Sequence, residues 1–218
     1  MAKKVMIQVA LDTLDPQVTL DLAAKTAPYI DIIEIGTPCV KYNGISLVKE
    51  MKAKFPDRKV LADLKTMDAG EYEARPFFEA GADITTVLGV AELATVKGVI
   101  KAAHDNNGWA QVDMICVPDI VATAKAAAEA GADILGVHTG LDQQAAGQTP
   151  FADLGKLTAL GLNVMISCAG GIKPETVADV VKAGADIVVV GGAIYGADDP
   201  AAAAKQMREL VDKAAAEV

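Results

Sequence analysis

Apolar residues in this chain come in short unbroken runs, with polar residues gathered between them. The runs are VMIQVAL, DIIEIG, KVLADLK, DITTVLG, WAQVDMI, DILGVH, NVMISCA and DIVVVGG. They are continuous rather than alternating, as expected of parallel strands covered on both faces. They predict eight strands, roughly over 5–12, 31–36, 60–65, 84–89, 109–115, 134–139, 163–169 and 187–192. Helical segments are predicted near 16–27, 43–54, 71–80, 91–105, 118–130, 150–160, 174–183 and 199–216. Asp15-Pro16 and Asp199-Pro200 each place an N-cap acid before a proline at the first helical position.

Near-copies recur at a period of about fifty residues. EAGADITTVLG begins at Glu79, EAGADILGVHTG at Glu129 and KAGADIVVVGG at Lys182, with a looser copy, APYIDIIEIG, from Ala27. In the three close copies an Ala-rich helix ends, Gly81, Gly131 or Gly184 supplies a left-handed turn, and a strand follows. Eight βα units without a linker or composition shift predict one α/β domain over 1–218, a (β/α)8 TIM barrel. A doubly wound open sheet is the alternative.

Composition narrows this picture. The 218 residues are 52% apolar but only 4% aromatic, so the core is built from Val, Ile, Leu and Ala. A formal net charge of −9 argues against a nucleic-acid partner, though not against a small anion held by backbone N–H groups. The opening MAKKVMIQVALD is too short in its apolar run for a signal peptide, and no run reaches the ~18 apolar residues of a membrane span. Cys39, Cys116 and Cys168 are odd in number and lack a C-x-x-C spacing, so buried thiols in a cytoplasmic protein are expected.

Barrel chemistry gathers at the C-terminal ends of the strands. There the sequence places Asp12, Glu34, Asp63, Lys65, Asp113 and His138, with Asp68 just beyond. Asp12 could instead cap the next helix. Glu34, Asp63 and Lys65 are charges inside apolar strands, costly to bury unpaired. Asp63 and Lys65, two apart, share a face and are expected to point into the barrel. Acids around Lys65 favour its charged form, which suits a fixed cation rather than a Schiff-base nucleophile. Glu34 and Asp63 make a reasonable Mg²⁺ site. Gly170-Gly171 and Gly191-Gly192 end the last two strands, where such barrels often hold a phosphate, and Lys173 could add charge. His104 reads as a helix-end residue without a functional role, and Trp109 as packing at the start of its strand.

Through Asp63-x-Lys65-x-x-Asp68 the chain resembles the orotidine-phosphate decarboxylase superfamily, whose barrels are of the ribulose-phosphate-binding type. Through QVALD, DIIEIGTP, VLADLKTMDAG, GADITTVLG, VDMI, VHTGLDQQAAG, AGGI and VVVGGAI it is similar to the branch of 3-hexulose-6-phosphate synthases and 3-keto-L-gulonate-6-phosphate decarboxylases. The resemblance implies a homodimer in which Asp68 enters the partner's site, and Mg²⁺ on Glu34 and Asp63. Orotidine-phosphate decarboxylases carry Lys where Glu34 stands and use no metal. The keto-gulonate branch typically has Glu for Asp113, Arg for Leu141, Thr for Ala169 and Arg for Gly192, so all four positions point to the synthases. The implied lyase reaction is aldol addition of formaldehyde to D-ribulose 5-phosphate through an enediolate. His138 is then the expected base, Asp113 its orienting group or relay, Lys65 the stabilising cation and Asp12 a sugar ligand. Keto-gulonate phosphate decarboxylation is the alternative, and a non-catalytic phosphosugar-binding barrel is an alternative of another class.

Overall fold

The computed structural model describes residues 4–218. Its strands close into a parallel barrel in sequence order, each hydrogen-bonded to the next and the last to the first. They are β1 Met6–Leu11, β2 Ile32–Ile35, β3 Lys59–Thr66, β4 Ile84–Leu88, β5 Trp109–Asp113, β6 Ile134–His138, β7 Met165–Ala169 and β8 Ile187–Val190. The helices are α1 Pro16–Thr26, α2 Thr37–Lys54, α3 Gly70–Glu79, α4 Leu93–Asp105, α5 Ile120–Glu129, α6 Leu141–Ala145, α7 Phe151–Thr158, α8 Val177–Lys182, α9 Gly192–Tyr195 and α10 Pro200–Ala215. The closed sheet excludes the open doubly wound alternative.

Helix boundaries follow their sequence signals. Asp15 accepts from the backbone N–H groups of Gln17 and Val18, and Asp199 from those of Ala201 and Ala202. Gly81, Gly131 and Gly184 have φ of 107°, 96° and 100°, the left-handed turn expected of them. One start differs: α2 begins at Thr37 rather than near 43. Its first turns are joined to the rest across a kink at Gly44, where φ is 65° and ψ −157°.

The fifty-residue repeat has a physical basis in the Asp of each copy. Asp31, Asp83, Asp133 and Asp186 each precede an even-numbered strand. Their Oδ2 atoms accept from the backbone N–H of Ile7, Val60, Ala110 and Ile166 on the preceding odd-numbered strand, at 2.9, 2.7, 2.8 and 2.8 Å. The clamps thus pin β1 to β2, β3 to β4, β5 to β6 and β7 to β8. Further side chains reach Asp31, Asp83 and Asp133: Arg208 lies 3.1 Å from the first, Lys52 2.8 Å from the second and His104 Nε2 3.0 Å from the third. His104 therefore has a structural partner in addition to its place at a helix end.

Strand register arranges the inward side chains in layers taken from alternate strands. At the bottom Lys59 Nζ lies 3.8 Å from the centre of the Trp109 ring. Above it Ile32, Ile84, Ile134 and Ile187, all fully buried, seal the floor. The next layers are Gln8, Leu61, Gln111 and Ser167, then Glu34, Thr86, Gly136 and Val189. The barrel thus turns from apolar to polar about halfway up, which is where a site begins.

Candidate active site

A cavity of about 1000 Å³ opens at the C-terminal end of the barrel. Its lining includes Asp12, Glu34, Asp63, Lys65, Asp113, His138 and both glycine pairs. Every candidate from the strand ends is therefore brought together except Asp68. That residue lies in the exposed loop after β3, outside the cavity lining, and its Oδ1 accepts from Ala69 N–H at 2.7 Å.

Asp63 and Lys65 both face inward, but not through simple alternation. Between Ala62 and Thr66 the pairing with β4 shifts register, and Lys65 adopts φ +47°. Leu64 packs outward into the main core while Lys65 N–H donates to Thr86 Oγ1 at 2.9 Å. The bulge carries the ammonium onto Asp63 Oδ2 at 2.5 Å and to 3.2 Å from Asp113 Oδ2. Burial alone would depress the lysine, but Asp63 and Asp113 together hold its pKa above the ordinary value. Asp63 is further tied by the hydroxyls of Thr37 and Thr86, the latter at 2.7 Å.

Asp113 is also buried, and accepts from Ile115 N–H at 2.9 Å. Burial pushes its pKa up, yet His138 and Lys65 overcome this and hold it below the usual carboxylate value. His138 Nδ1 lies 2.9 Å from Asp113 Oδ2. An ionised carboxylate only accepts, so Nδ1 carries the hydrogen of this contact, and in the neutral tautomer the lone pair then lies on Nε2.

Glu34 has the opposite environment. It is buried, and Gln8 Nε2 donates to its Oε2 at 2.6 Å. Burial first, then repulsion from Asp63, raises its pKa to about 8 despite the Gln8 bond and the nearby lysine. Asp12 is likewise raised, by burial and then by Asp63. It does not cap α1, because Asp15 does; it borders the cavity instead. Gly36 permits this, since a Cβ there would stand 2.1 Å from Asp12 Oδ1.

The donor set suits a hard divalent cation. Glu34 and Asp63 are crowded acids on adjacent strands, and Gln8 Oε1 is buried without a partner. Among the described residues no group of three or more His, Cys, Asp or Glu is placed to hold a metal ion. A cation here would accordingly take two protein acids and fill its remaining positions with other oxygens, as Mg²⁺ usually does.

At the rim, Gly170 and Gly171 have φ of 122° and 66°, and a Cβ on Gly170 would stand 2.7 Å from Thr139 O. Here the glycines are required by the backbone itself. Gly191 and Gly192 face them from the end of β8, with Lys173 also at the rim and exposed. Cys39 and Cys168 are buried as expected, but Cys116 is exposed. The chain turns outward there, at φ +58°, and places that thiol at the cavity edge. Sequence reasoning missed Gln8, Thr37, Thr86, Gln111, Gly136 and Ser167. Gln8 and Gln111 carried a signal: each is an amide within an apolar strand, and Gln111 lies two residues below Asp113 on the same face.

The model of the orotidine 5'-phosphate decarboxylase / HUMPS family matches residues 5–207. A 3-hexulose-6-phosphate synthase from Methylomonas aminofaciens is 62% identical over 205 residues, covering 94% of this chain and 98% of its own. The solved 3-hexulose-6-phosphate synthase from Salmonella typhimurium is 43% identical with a TM-score of 0.91, over 96% of this chain and 99% of that one. A solved 3-keto-L-gulonate-6-phosphate decarboxylase from Vibrio cholerae is more distant, at 31% identity and a TM-score of 0.84, over 96% and 98%. The chain belongs to the orotidine 5'-phosphate decarboxylase / HUMPS family of barrel enzymes, in its 3-hexulose-6-phosphate synthase group.

Proposed function

We propose that this protein catalyses aldol addition of formaldehyde to D-ribulose 5-phosphate, giving D-arabino-hex-3-ulose 6-phosphate. The observation that carries the chemistry is the chain Asp63–Lys65–Asp113–His138, which sets an ammonium held by two acids near an imidazole oriented by one of them. The names of the relatives supply the product, a 3-hexulose 6-phosphate, and the family resemblance supplies its two precursors.

Backbone N–H groups at Gly170-Gly171 and Gly191-Gly192 hold the phosphate at one end of the cavity. Glu34 and Asp63 would hold Mg²⁺, which when bound supplies positive charge that acidifies the proton next to the ketone. His138 Nε2 removes that proton from C1, and Asp113 keeps the ring in the tautomer that allows it. Lys65 stabilises the enediolate as charge develops. Its pairing with two acids keeps it protonated, so it does not form a Schiff base. Asp12 binds a sugar hydroxyl. The exposed Asp68 acts in the partner's site of a homodimer, where it positions the partner's Lys65.

Keto-gulonate phosphate decarboxylation is the second reading, because it passes through the same kind of intermediate. Asp113, Leu141, Ala169 and Gly192 count against it as the main activity. Formaldehyde consumption with ribulose 5-phosphate should be run beside CO₂ release from 3-keto-L-gulonate 6-phosphate, each with and without EDTA. The proposal expects the first reaction to dominate in kcat/KM and to stop on chelation. Dominant CO₂ release would reverse the assignment, and full turnover in excess EDTA would remove the metal.

A further inference from the structure

Along β4, Thr85 and Thr86 are adjacent buried threonines that use their hydroxyls in opposite ways. Thr85 pairs in register with Ala62, and its Oγ1 has no hydrogen-bond partner among the described residues. The Thr86 hydroxyl is used twice: it accepts from Lys65 N–H at 2.9 Å and donates to Asp63 Oδ1 at 2.7 Å. Both directions are fixed, because a backbone N–H can only donate and a carboxylate oxygen accepts. The register explains the need. Between the pairs Ala62↔Thr85 and Thr66↔Val87, β3 runs through Asp63, Leu64 and Lys65, while β4 has Thr86 alone. Such a bulge takes backbone groups out of the ladder. Lys65 N–H meets the Thr86 hydroxyl where a regular ladder would offer a carbonyl.

The lysine is thereby held at both ends. Its backbone N–H is bound by Thr86, its ammonium lies on Asp63 Oδ2 at 2.5 Å, and the other oxygen of that carboxylate is tied to Thr86. This closed ring matters because Lys65 has φ +47°, a conformation that a residue with a Cβ seldom adopts unless its surroundings impose it. Threonine suits the task, since branching at Cβ restricts χ1 and the hydroxyl is aimed rather than free to turn. We infer that Thr86 is a positioning residue for Lys65, its hydroxyl holding the β3 bulge in the shape that carries the ammonium between Asp63 and Asp113. The inference rests on the reading above, in which that ammonium stabilises the enediolate. Thr86 lies outside the cavity lining, so it acts only through its neighbours.

Thr86→Val keeps the branched side chain and removes the hydroxyl. In the folded variant at saturating Mg²⁺, kcat for exchange of the C1 proton of ribulose 5-phosphate with deuterated water should fall about 100-fold, the usual result of misplacing a group by about 1 Å. KM for ribulose 5-phosphate should stay within about threefold, since the phosphate is held at the glycine pairs and the lysine acts on the transition state. Thr86→Ser, which restores the hydroxyl, should recover most of the rate. Thr85→Val, the same substitution one residue away, should lose none. A crystal structure of Thr86→Val should show Lys65 Nζ displaced by about 1 Å or more. An unmoved ammonium overturns the inference whatever the enzyme catalyses. So do an undiminished kcat, a loss that Thr86→Ser fails to repair, or an equal loss in Thr85→Val. If Thr86→Val fails to fold, Thr86→Ala against Thr86→Ser makes the same comparison. Absence of exchange and condensation in the unaltered enzyme, with the ammonium displaced in the variant, would instead overturn the aldol reading alone.

Discussion

Glu34→Gln should make the metal-free protein more stable at alkaline pH, although it alters a residue of the proposed catalytic centre. Burial and Asp63 raise the Glu34 pKa from 4.5 to about 8. A raised folded-state pKa favours the protonated form in the folded protein. That contribution is fully present below pH 4.5, declines as pH rises and is lost above pH 8. At about 1.4 kcal/mol per pKa unit, the ionised side chain is disfavoured by on the order of 4–5 kcal/mol above pH 8. Glutamine cannot ionise, so it avoids this cost. The shift already includes the charge-assisted bond from Gln8, so that bond is not subtracted again. A net gain of about 4 kcal/mol is expected at pH 9, shrinking to nothing near pH 4. Urea unfolding of both proteins in EDTA, at one protein concentration and across this range, measures it. Added Mg²⁺ should narrow the gap by stabilising only the wild type, by about 2.7 kcal/mol at a hundredfold excess over its Kd. If Glu34→Gln is no more stable than wild type at pH 9 in EDTA, the buried-acid argument fails.

Three other perturbations address different links. His138→Asn should abolish C1-proton exchange while leaving phosphate binding intact, and undiminished exchange would assign the base elsewhere. Mixing inactive Asp68→Ala with inactive His138→Asn should recover activity if Asp68 serves the partner's site, because one hybrid site is then wholly native; no recovery would return Asp68 to its own subunit. Asp83→Ala should cost about 1–3 kcal/mol by orphaning the Val60 N–H, against about 1 kcal/mol or less for Lys52→Met, which removes a part-exposed ion pair and bonds to the Pro56 and Arg58 carbonyls. Equal losses by chemical denaturation would mean the ion pair, not the backbone clamp, holds β3 to β4.

Much of this architecture was legible because it repeats. The GAD segments marked helix end, glycine turn and strand start together, and the apolar runs between them required a sheet covered on both faces. The charges stood out for the same reason: Glu34, Asp63 and Lys65 interrupt runs that otherwise exclude water. What escaped depends on geometry without a local signature. The bulge that swings Lys65 onto Asp63 arises from pairing with β4, and no residue in LADLKT announces it. The early start of α2 at Thr37 and its kink at Gly44 read as ordinary loop before a later helix. Thr86 carries meaning only beside Asp63 and Lys65, which the sequence places on another strand. The clamping role of the four aspartates was equally hidden, since each bonds to a strand residue twenty or more positions earlier.

The central claim is that this site makes a carbon–carbon bond between an enediolate and formaldehyde. The most direct test incubates the Mg²⁺-loaded enzyme with ¹³C-formaldehyde and ribulose 5-phosphate and follows the label by NMR. The account predicts a new ¹³C-hydroxymethyl signal correlated with the proton on the adjacent carbon of a hexulose 6-phosphate, absent from His138→Asn. Label remaining as free formaldehyde hydrate, with the wild-type enzyme folded and ribulose 5-phosphate unconsumed, would contradict it.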